Sequence, residues 1–136
     1  VLNYMLQKAN KTLNQVDVQI NIPEDLYFNN FNICVILGNL VDNAVREASK
    51  SKEKLLTIKM QIKQEVLLIF IENSYSGKIL EKRNGLQTTQ PELAIHGIGL
   101  ENVKKVVIAN GGEIKIDYTS NRFCVQVLLY MSRIKN

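Results

Sequence analysis

Two asparagines lie four residues apart in an otherwise apolar stretch, LGNLVDNAVREA, residues 37–48. Apolar residues recur there at three- and four-residue steps, which predicts one buried face of a helix. Asn39 and Asn43 then stack one turn apart beside that face, and Arg46 follows three residues later. Aligned amide oxygens followed by a cation suit a magnesium ion with its phosphates. An amphipathic helix with polar residues at its solvent boundary explains the same pattern, so both interpretations stay open at this point.

A second motif, HGIGLENV at residues 96–103, places two glycines where a long loop is predicted to enter a helix. Gly97 and Gly99 allow the backbone to approach a ligand closely, and the N–H groups of the first helical turn have no intrahelical partners. Together with the helix dipole, these groups favour phosphate. For this motif considered alone, a glycine-rich helix start without a ligand is the alternative.

The rest of the sequence supplies the elements that must position these motifs. Periodicity predicts helices over 1–13, 30–50 and 97–110, and strands over 16–22, 55–63, 66–72, 113–118 and 122–130. Short polar connections predict two antiparallel hairpins. Residues 74–96 show no sustained period, which is typical of a lid or binding loop. The predicted class is a two-layer α/β (α+β) sandwich, with a mixed, mostly antiparallel sheet of about five strands and three helices on one face.

Length and composition are those of one globular domain over residues 1–136, and the initial Val1 suggests a fragment of a longer protein. No apolar run reaches the roughly 20 residues of a membrane span. The net charge is +4, but the basic residues are scattered, so no nucleic-acid partner is expected. Cys34 and Cys124 lie in apolar segments without metal-ligand spacing, which favours reduced thiols of a cytosolic domain.

The combination of motifs resembles the ATP-binding domain of sensor histidine kinases, in the GHKL (Bergerat-fold) ATPase superfamily. LGNLVDNAVREA looks like the N box of that family, and HGIGLENV looks like its second glycine box. Between them, IENSYSG (residues 71–77) occupies the place of the first glycine box. The order GNLVDNA followed by HGIGL is similar in particular to the subgroup that includes bacterial peptide-pheromone receptors. The resemblance spans residues 16–130 and implies a Bergerat fold.

The resemblance implies a role for each matching position in binding ATP and Mg²⁺. Asn43 would be the principal magnesium ligand with Asn39 beside it, and Arg46 would contact phosphate; these three are the expected catalytic residues. Related hydrolases and serine kinases carry a glutamate base at the position of Asn39. A neutral amide cannot take a proton, whereas a neutral imidazole is already a nucleophile. Asn39 therefore favours phosphotransfer to a histidine over hydrolysis.

The remaining implied nucleotide contacts flank the lid. Asn73 replaces the aspartate that reads the adenine amino group, and its amide carbonyl is a weaker, neutral acceptor. Tyr75 stands where the first glycine of the box would be. The second glycine box would cradle the phosphates, and its leucine would help to wall the base pocket. The expected residues are Asn73, Gly77, Gly97, Ile98, Gly99 and Leu100.

The implied function is that of the catalytic domain of a two-component histidine kinase, on the cytoplasmic side of a membrane-bound receptor. The only histidine, His96, lies in the glycine box, so the phosphoacceptor is expected on an upstream dimerisation domain. The isolated fragment is expected to be monomeric and to bind nucleotide without autophosphorylating. The full-length kinase would be a homodimer, and a response regulator would receive the phosphoryl group.

Two alternatives remain. The first is a GHKL serine kinase of the anti-sigma-factor type or a GHKL hydrolase, and Asn39 disfavours both. The second is a GHKL nucleotide-binding regulatory module with weak or lost catalysis. It is suggested by Asn73, by Tyr75 and by Gln90, which stands where related kinases often carry a lysine that reaches the phosphates. Structural roles are expected for two acidic residues. Asp42 either steadies Asn43 by a hydrogen bond or leaves that role to an N–H group elsewhere in the core, and Glu47 is solvated or paired with a nearby lysine.

Overall fold

The computed structural model describes residues 2–23, 30–76 and 91–133; for residues 2–3, 91–99 and 133 it describes the backbone alone. The described residues form three α-helices, α1 (Leu2–Thr12), α2 (Phe31–Lys50) and α3 (Pro91–Ala109). They also form five strands, β1 (Gln15–Asn21), β2 (Leu55–Lys63), β3 (Val66–Ser74), β4 (Glu113–Tyr118) and β5 (Arg122–Tyr130), followed by a 3₁₀ turn, Met131–Arg133. None of the described helices is long and apolar enough to cross a membrane.

The strands form one sheet in the order β1-β2-β3-β5-β4. β1 pairs with β2 in parallel, and the other three pairings are antiparallel. Burial alternates along β3 and β5, because successive side chains of a strand point to opposite faces. The buried face lies under α2 and α3, and α1 packs beside α2. The predicted two-layer sandwich with a mixed, mostly antiparallel sheet is confirmed.

Helix α2 carries the first motif and is capped at both ends. The side chain of Asn30 accepts a hydrogen bond from the backbone N–H of Ile33 at 3.0 Å, which satisfies one of the unpaired donors of the first turn. At the other end, Ser51 Oγ donates to the carbonyl of Ala48 at 2.6 Å. The helix buries one face along its whole length. The motif residues therefore sit in the interior of a rigid element.

A pair of buried serines joins the end of α2 to the end of β3. Ser51 Oγ lies 2.7 Å from Ser74 Oγ, and Ser74 Oγ also accepts from the backbone N–H of Leu55 at 2.8 Å. β3 extends to Ser74, two residues past the predicted end at Glu72. The extension follows from pairing on both sides, since Asn73 is opposite Leu56 in β2 and Phe123 in β5.

Backbone geometry explains how two of the connections are made. The β2–β3 hairpin turns at Gln64 and Glu65, whose φ angles of 53° and 63° fit the two-residue turn that matches strand twist. After α3, Gly111 adopts a φ of 72°, and the N–H of Gly112 donates to Val107 O at 2.9 Å. This is a Schellman C-cap, a helix end that commonly places glycine at the residue with positive φ.

The start of α3 differs from the prediction. The helix begins at Pro91, six residues before the predicted start at Gly97, so residues 91–96 of the expected lid loop have a helical backbone. Proline is well suited to a first helical position, because its fixed φ is helical and its missing N–H is not needed there. Glycine is a poor helix former, and the prediction placed the helix start at the two glycines for that reason. Residues 77–90 of the expected lid lie outside the described residues.

Candidate functional site

A polar stripe runs along one edge of the buried face of α2. Asn43 is buried, Asn39 is half-buried, and the side chain of Arg46 is 49% exposed. Helical periodicity places Glu47 one turn beyond Asn43, and it too is buried. The structure therefore brings together the three residues for which the sequence predicted metal and phosphate contacts, and it adds a carboxylate beside them.

Within the stripe, Arg46 contacts the predicted principal metal ligand. Arg46 Nη2 donates a short hydrogen bond to Asn43 Oδ1. Arg46 Nη1 also lies 3.7 Å from the carboxylate of Asp42. Asp42 therefore forms an ion pair with Arg46. The amide Nδ2 of Asn43 is buried and has no hydrogen-bond partner among the described residues. An orphaned buried donor is costly, and such a group is typical of a site that a ligand completes.

The donor set fits a magnesium ion that arrives with phosphates. The amide oxygen of Asn43 already faces a positive charge, and amide oxygens are among the ligands that hard cations accept. Magnesium usually keeps water and phosphate oxygens and takes only one or two protein ligands. The described residues contain no group of three His, Cys, Asp or Glu side chains that could hold a metal ion. Asn39 and Asn43 are suited to such a sparse site.

Asn73, the predicted adenine contact, lies near the end of β3 on the face of the sheet that the helices cover. It is 3% exposed, and its Nδ2 donates to the carbonyl of Ser74 at 2.9 Å. This bond fixes the orientation of the amide and leaves Oδ1 as the acceptor, with no donor assigned to it among the described residues. The predicted adenine contact therefore has an acceptor of the right kind in a buried position.

Tyr75 has a structural role that the sequence prediction missed. Its hydroxyl donates a short hydrogen bond to the carbonyl of Thr119, and its ring packs edge-on against Phe123 with centroids 5.9 Å apart. Its backbone N–H donates to Asn121 O at 3.2 Å, and burial raises the pKa of its phenol. Tyr75 thus anchors the chain that leaves β3 to the β4–β5 turn. The clue in the sequence was an aromatic residue directly after a buried strand.

An ion pair lies at the end of the sheet where β3 ends and β5 begins. Arg122 donates to both carboxylate oxygens of Glu53, at 2.7 and 2.9 Å. Hydrogen bonding to Arg122 lowers the pKa of Glu53 from its ordinary value. The pair links the segment before β2 to the start of β5, next to Ser74, which is opposite Arg122 in the sheet.

The second glycine motif is placed differently from the prediction. Gly97, Ile98 and Gly99 lie within α3, beyond its first turn, so the expectation that the open N–H groups of a first turn lie at Gly97 is wrong. The helix begins earlier because Pro91 starts it. Leu100 is buried at 1% exposure as part of the hydrophobic core. Gly77 lies outside the described residues, and so does the side chain of His96.

Sequence comparison places this architecture in a known family. The model of the GHKL domain family matches residues 28–130, which include both walls of the site. The chain belongs to the GHKL domain family. The family predicted from the N box and the second glycine box is thereby confirmed. Among curated proteins, none matches the chain.

Three solved chains with a similar fold come from histidine kinases. The histidine kinase AdeS of Acinetobacter baumannii matches with a TM-score of 0.61 at 18% identity, over 96% of this chain and 62% of that one. The histidine kinase domain of the blue-light activated histidine kinase EL346 of Erythrobacter litoralis gives 0.60 at 14% identity, over 96% and 60%. A longer chain of EL346 gives 0.63 at 13%, over 96% and 41%. This chain thus spans about three fifths or less of these proteins. The family match and these structures agree on the fold of the chain.

Proposed function

We propose that this GHKL domain binds Mg–ATP between the polar stripe of α2 and the segment 74–96, and that it is the catalytic domain of a two-component histidine kinase. The observation that carries the proposal is the contact between Arg46 and Asn43. A cation already lies against Asn43 Oδ1, and the adjacent Nδ2 is buried without a partner among the described residues. The stripe is therefore a polar site that a ligand would complete.

In the nucleotide complex, Asn43 and Asn39 would offer their amide oxygens to the metal. A bound magnesium ion supplies positive charge that neutralises the phosphates. Arg46 would exchange its bond to Asn43 for a phosphate oxygen, since guanidinium groups bind phosphate in a two-pronged geometry. Half of its side-chain surface is open to solvent, so this movement needs no repacking of the core.

The nucleotide's other contacts would come from the far wall and from the segment that closes the site. Asn73 Oδ1 would accept from the adenine amino group, and Leu100 would pack against the base. The resemblance also assigns phosphate contacts to Gly77, Gly97, Ile98 and Gly99. The last three lie within α3, so they would line the site from the helix surface and not through the open N–H groups of a first turn.

The acceptor of the phosphoryl group would be a histidine of an upstream dimerisation domain. Asn39 carries no carboxylate that could deprotonate water or a hydroxyl, whereas a neutral imidazole attacks without a base. The full-length protein would be a homodimer and a membrane-bound receptor kinase with this domain in the cytoplasm, and a response regulator would receive the phosphoryl group.

A transfer assay tests this proposal. The chain extended upstream through its dimerisation helix is incubated with γ-labelled ATP and Mg²⁺, and the label is tested for the acid lability and alkali stability of phosphohistidine. We expect label on histidine, and we expect Asn43→Ala to abolish it. Asn39→Glu adds the missing base, so that variant should release more inorganic phosphate than the wild type.

The competing interpretation, a regulatory module without catalysis, predicts a different result. If the extended wild-type chain binds ATP but acquires no label on histidine, kinase function is refuted and that interpretation is favoured. Label on serine instead would favour the anti-sigma type of kinase.

A further inference from the structure

Glu47 is a buried carboxylate whose hydrogen-bonding capacity is mostly unused. The residue is 7% exposed, and its only hydrogen-bond partner among the described residues is the ammonium of Lys50, at 3.5 Å. That lysine side chain is 62% exposed, so the pair is weak. A carboxylate offers about four acceptor positions, and burying it without donors is unfavourable. The predicted pairing with a nearby lysine is confirmed, but it uses only Oε2 and leaves the capacity of Oε1 to accept a hydrogen bond.

The fold places Glu47 in the same corner as Asn73. Ser51, one helical turn after Glu47, lies 2.7 Å from Ser74 through their hydroxyls, and Ser74 directly follows Asn73. Asn73 faces the helices, since its neighbours Leu56 and Phe123 on the same face are fully buried. The end of α2 therefore lies against the end of β3, and Glu47 and Asn73 are both buried near this contact. Asn43, with its unpartnered Nδ2, lies one turn away on the same stripe.

The two acceptors of this corner differ in strength. Asn73 uses its Nδ2 on Ser74 and presents a neutral carbonyl. Glu47 presents a charged acceptor, and hydrogen bonds to ionised acceptors are about twice as strong as neutral ones. A ligand group that only donates hydrogen bonds fits this pair best, because a hydrogen-bond acceptor would be repelled by the amide oxygen of Asn73 and the carboxylate of Glu47. The exocyclic amine of adenine is such a group.

We propose that Glu47 is a specificity-determining residue, whose carboxylate accepts from the exocyclic amine of the bound base and compensates for the neutral Asn73. The inference rests on the proposed function, because it assumes that this site takes a nucleoside triphosphate. It makes a separate claim: selection of an amino purine over an oxo purine depends on Glu47.

Calorimetry with two nucleotides tests the claim. In inosine triphosphate the 6-amine of ATP is replaced by an oxo group, and the neighbouring N1 carries a hydrogen, so both positions reverse their hydrogen-bonding character. We expect the wild type, with Mg²⁺, to prefer ATP by tenfold or more, since a hydrogen bond to a charged group is worth about that factor. Glu47→Gln should bring the two affinities within about threefold, because its amide can donate to the oxo group. The control Glu113→Gln removes the same charge from an exposed position in β4 and should leave the preference intact.

A rescue variant distinguishes loss of the carboxylate from a general structural change in the site. Adding Asn73→Asp to Glu47→Gln returns one carboxylate to the corner, so the ATP preference should return to at least half of its wild-type ratio. Circular dichroism checks that each variant is folded. If Glu47→Gln is folded and keeps the wild-type ratio, or if the double variant does not recover the preference, the proposal for Glu47 is wrong. Failure of the wild type to bind either nucleotide would instead refute the proposed function.

Discussion

At the scale of single residues, the proposed site depends on side chains that hold each other in place until a ligand replaces a contact. Arg46 is the clearest example, because it bridges Asn43 and Asp42 and is still half exposed. Its guanidinium lies against the oxygen that would bind the metal. In the proposed complex the same cation would contact phosphate, so ligand binding and release of Asn43 would be linked.

Removing the charge of Arg46 should therefore weaken nucleotide binding. We expect Arg46→Gln to lower the affinity for Mg–ATP about tenfold, since a charge-assisted hydrogen bond to phosphate is lost. The loss should be smaller at high salt, which screens the wild-type attraction. Titration calorimetry at two salt concentrations measures both effects. Lys63→Gln, the same charge change at the opposite end of the sheet, serves as control. Equal affinities of Arg46→Gln and wild type would show that Arg46 does not contact phosphate.

At the scale of elements, the strands and the first two helices were predicted closely, and the start of α3 was not. The limits of β2, β4 and β5 follow from alternation of apolar and polar residues, which depends only on the pleat. β3 is longer than predicted because pairing with β2 and β5 holds the polar Asn73 and Ser74 in the sheet. The start of α3 was misplaced because local glycine content was given more weight than the proline six residues before it.

The turn between β2 and β3 gives a test at this scale. Glu65 has a φ of 63°, in the left-handed region that costs a residue other than glycine about 1–2 kcal/mol. Glu65→Gly removes that cost. Glycine also makes the unfolded chain more flexible, which offsets part of the gain, so the free energy of unfolding should rise by about 0.5–1 kcal/mol. Denaturant unfolding measures the change. Ser120→Gly, in an exposed turn without positive φ, should lower stability instead. A loss of stability in Glu65→Gly would contradict the turn geometry.

At the scale of the whole molecule, the sequence was sufficient for the fold and the family but not for the details of the site. The two motifs fix the family, and the family match over residues 28–130 agrees with them. The contact between Arg46 and Asn43 was not predictable, because side-chain pairing on a helix depends on rotamers as well as spacing. The burial of Glu47 was missed because a charged residue in a helix is usually solvated.

The central claim is that α2 supplies the magnesium end of a nucleotide site, and calorimetric titration with ATP in the presence and absence of Mg²⁺ tests it most directly. We predict that the wild-type domain binds ATP and that removing Mg²⁺ weakens binding by tenfold or more. Asn43→Ala should lose the magnesium-dependent part of the affinity, while its circular dichroism spectrum and cooperative unfolding remain those of a folded domain. A folded Asn43→Ala variant with the wild-type affinity and magnesium dependence would contradict the account.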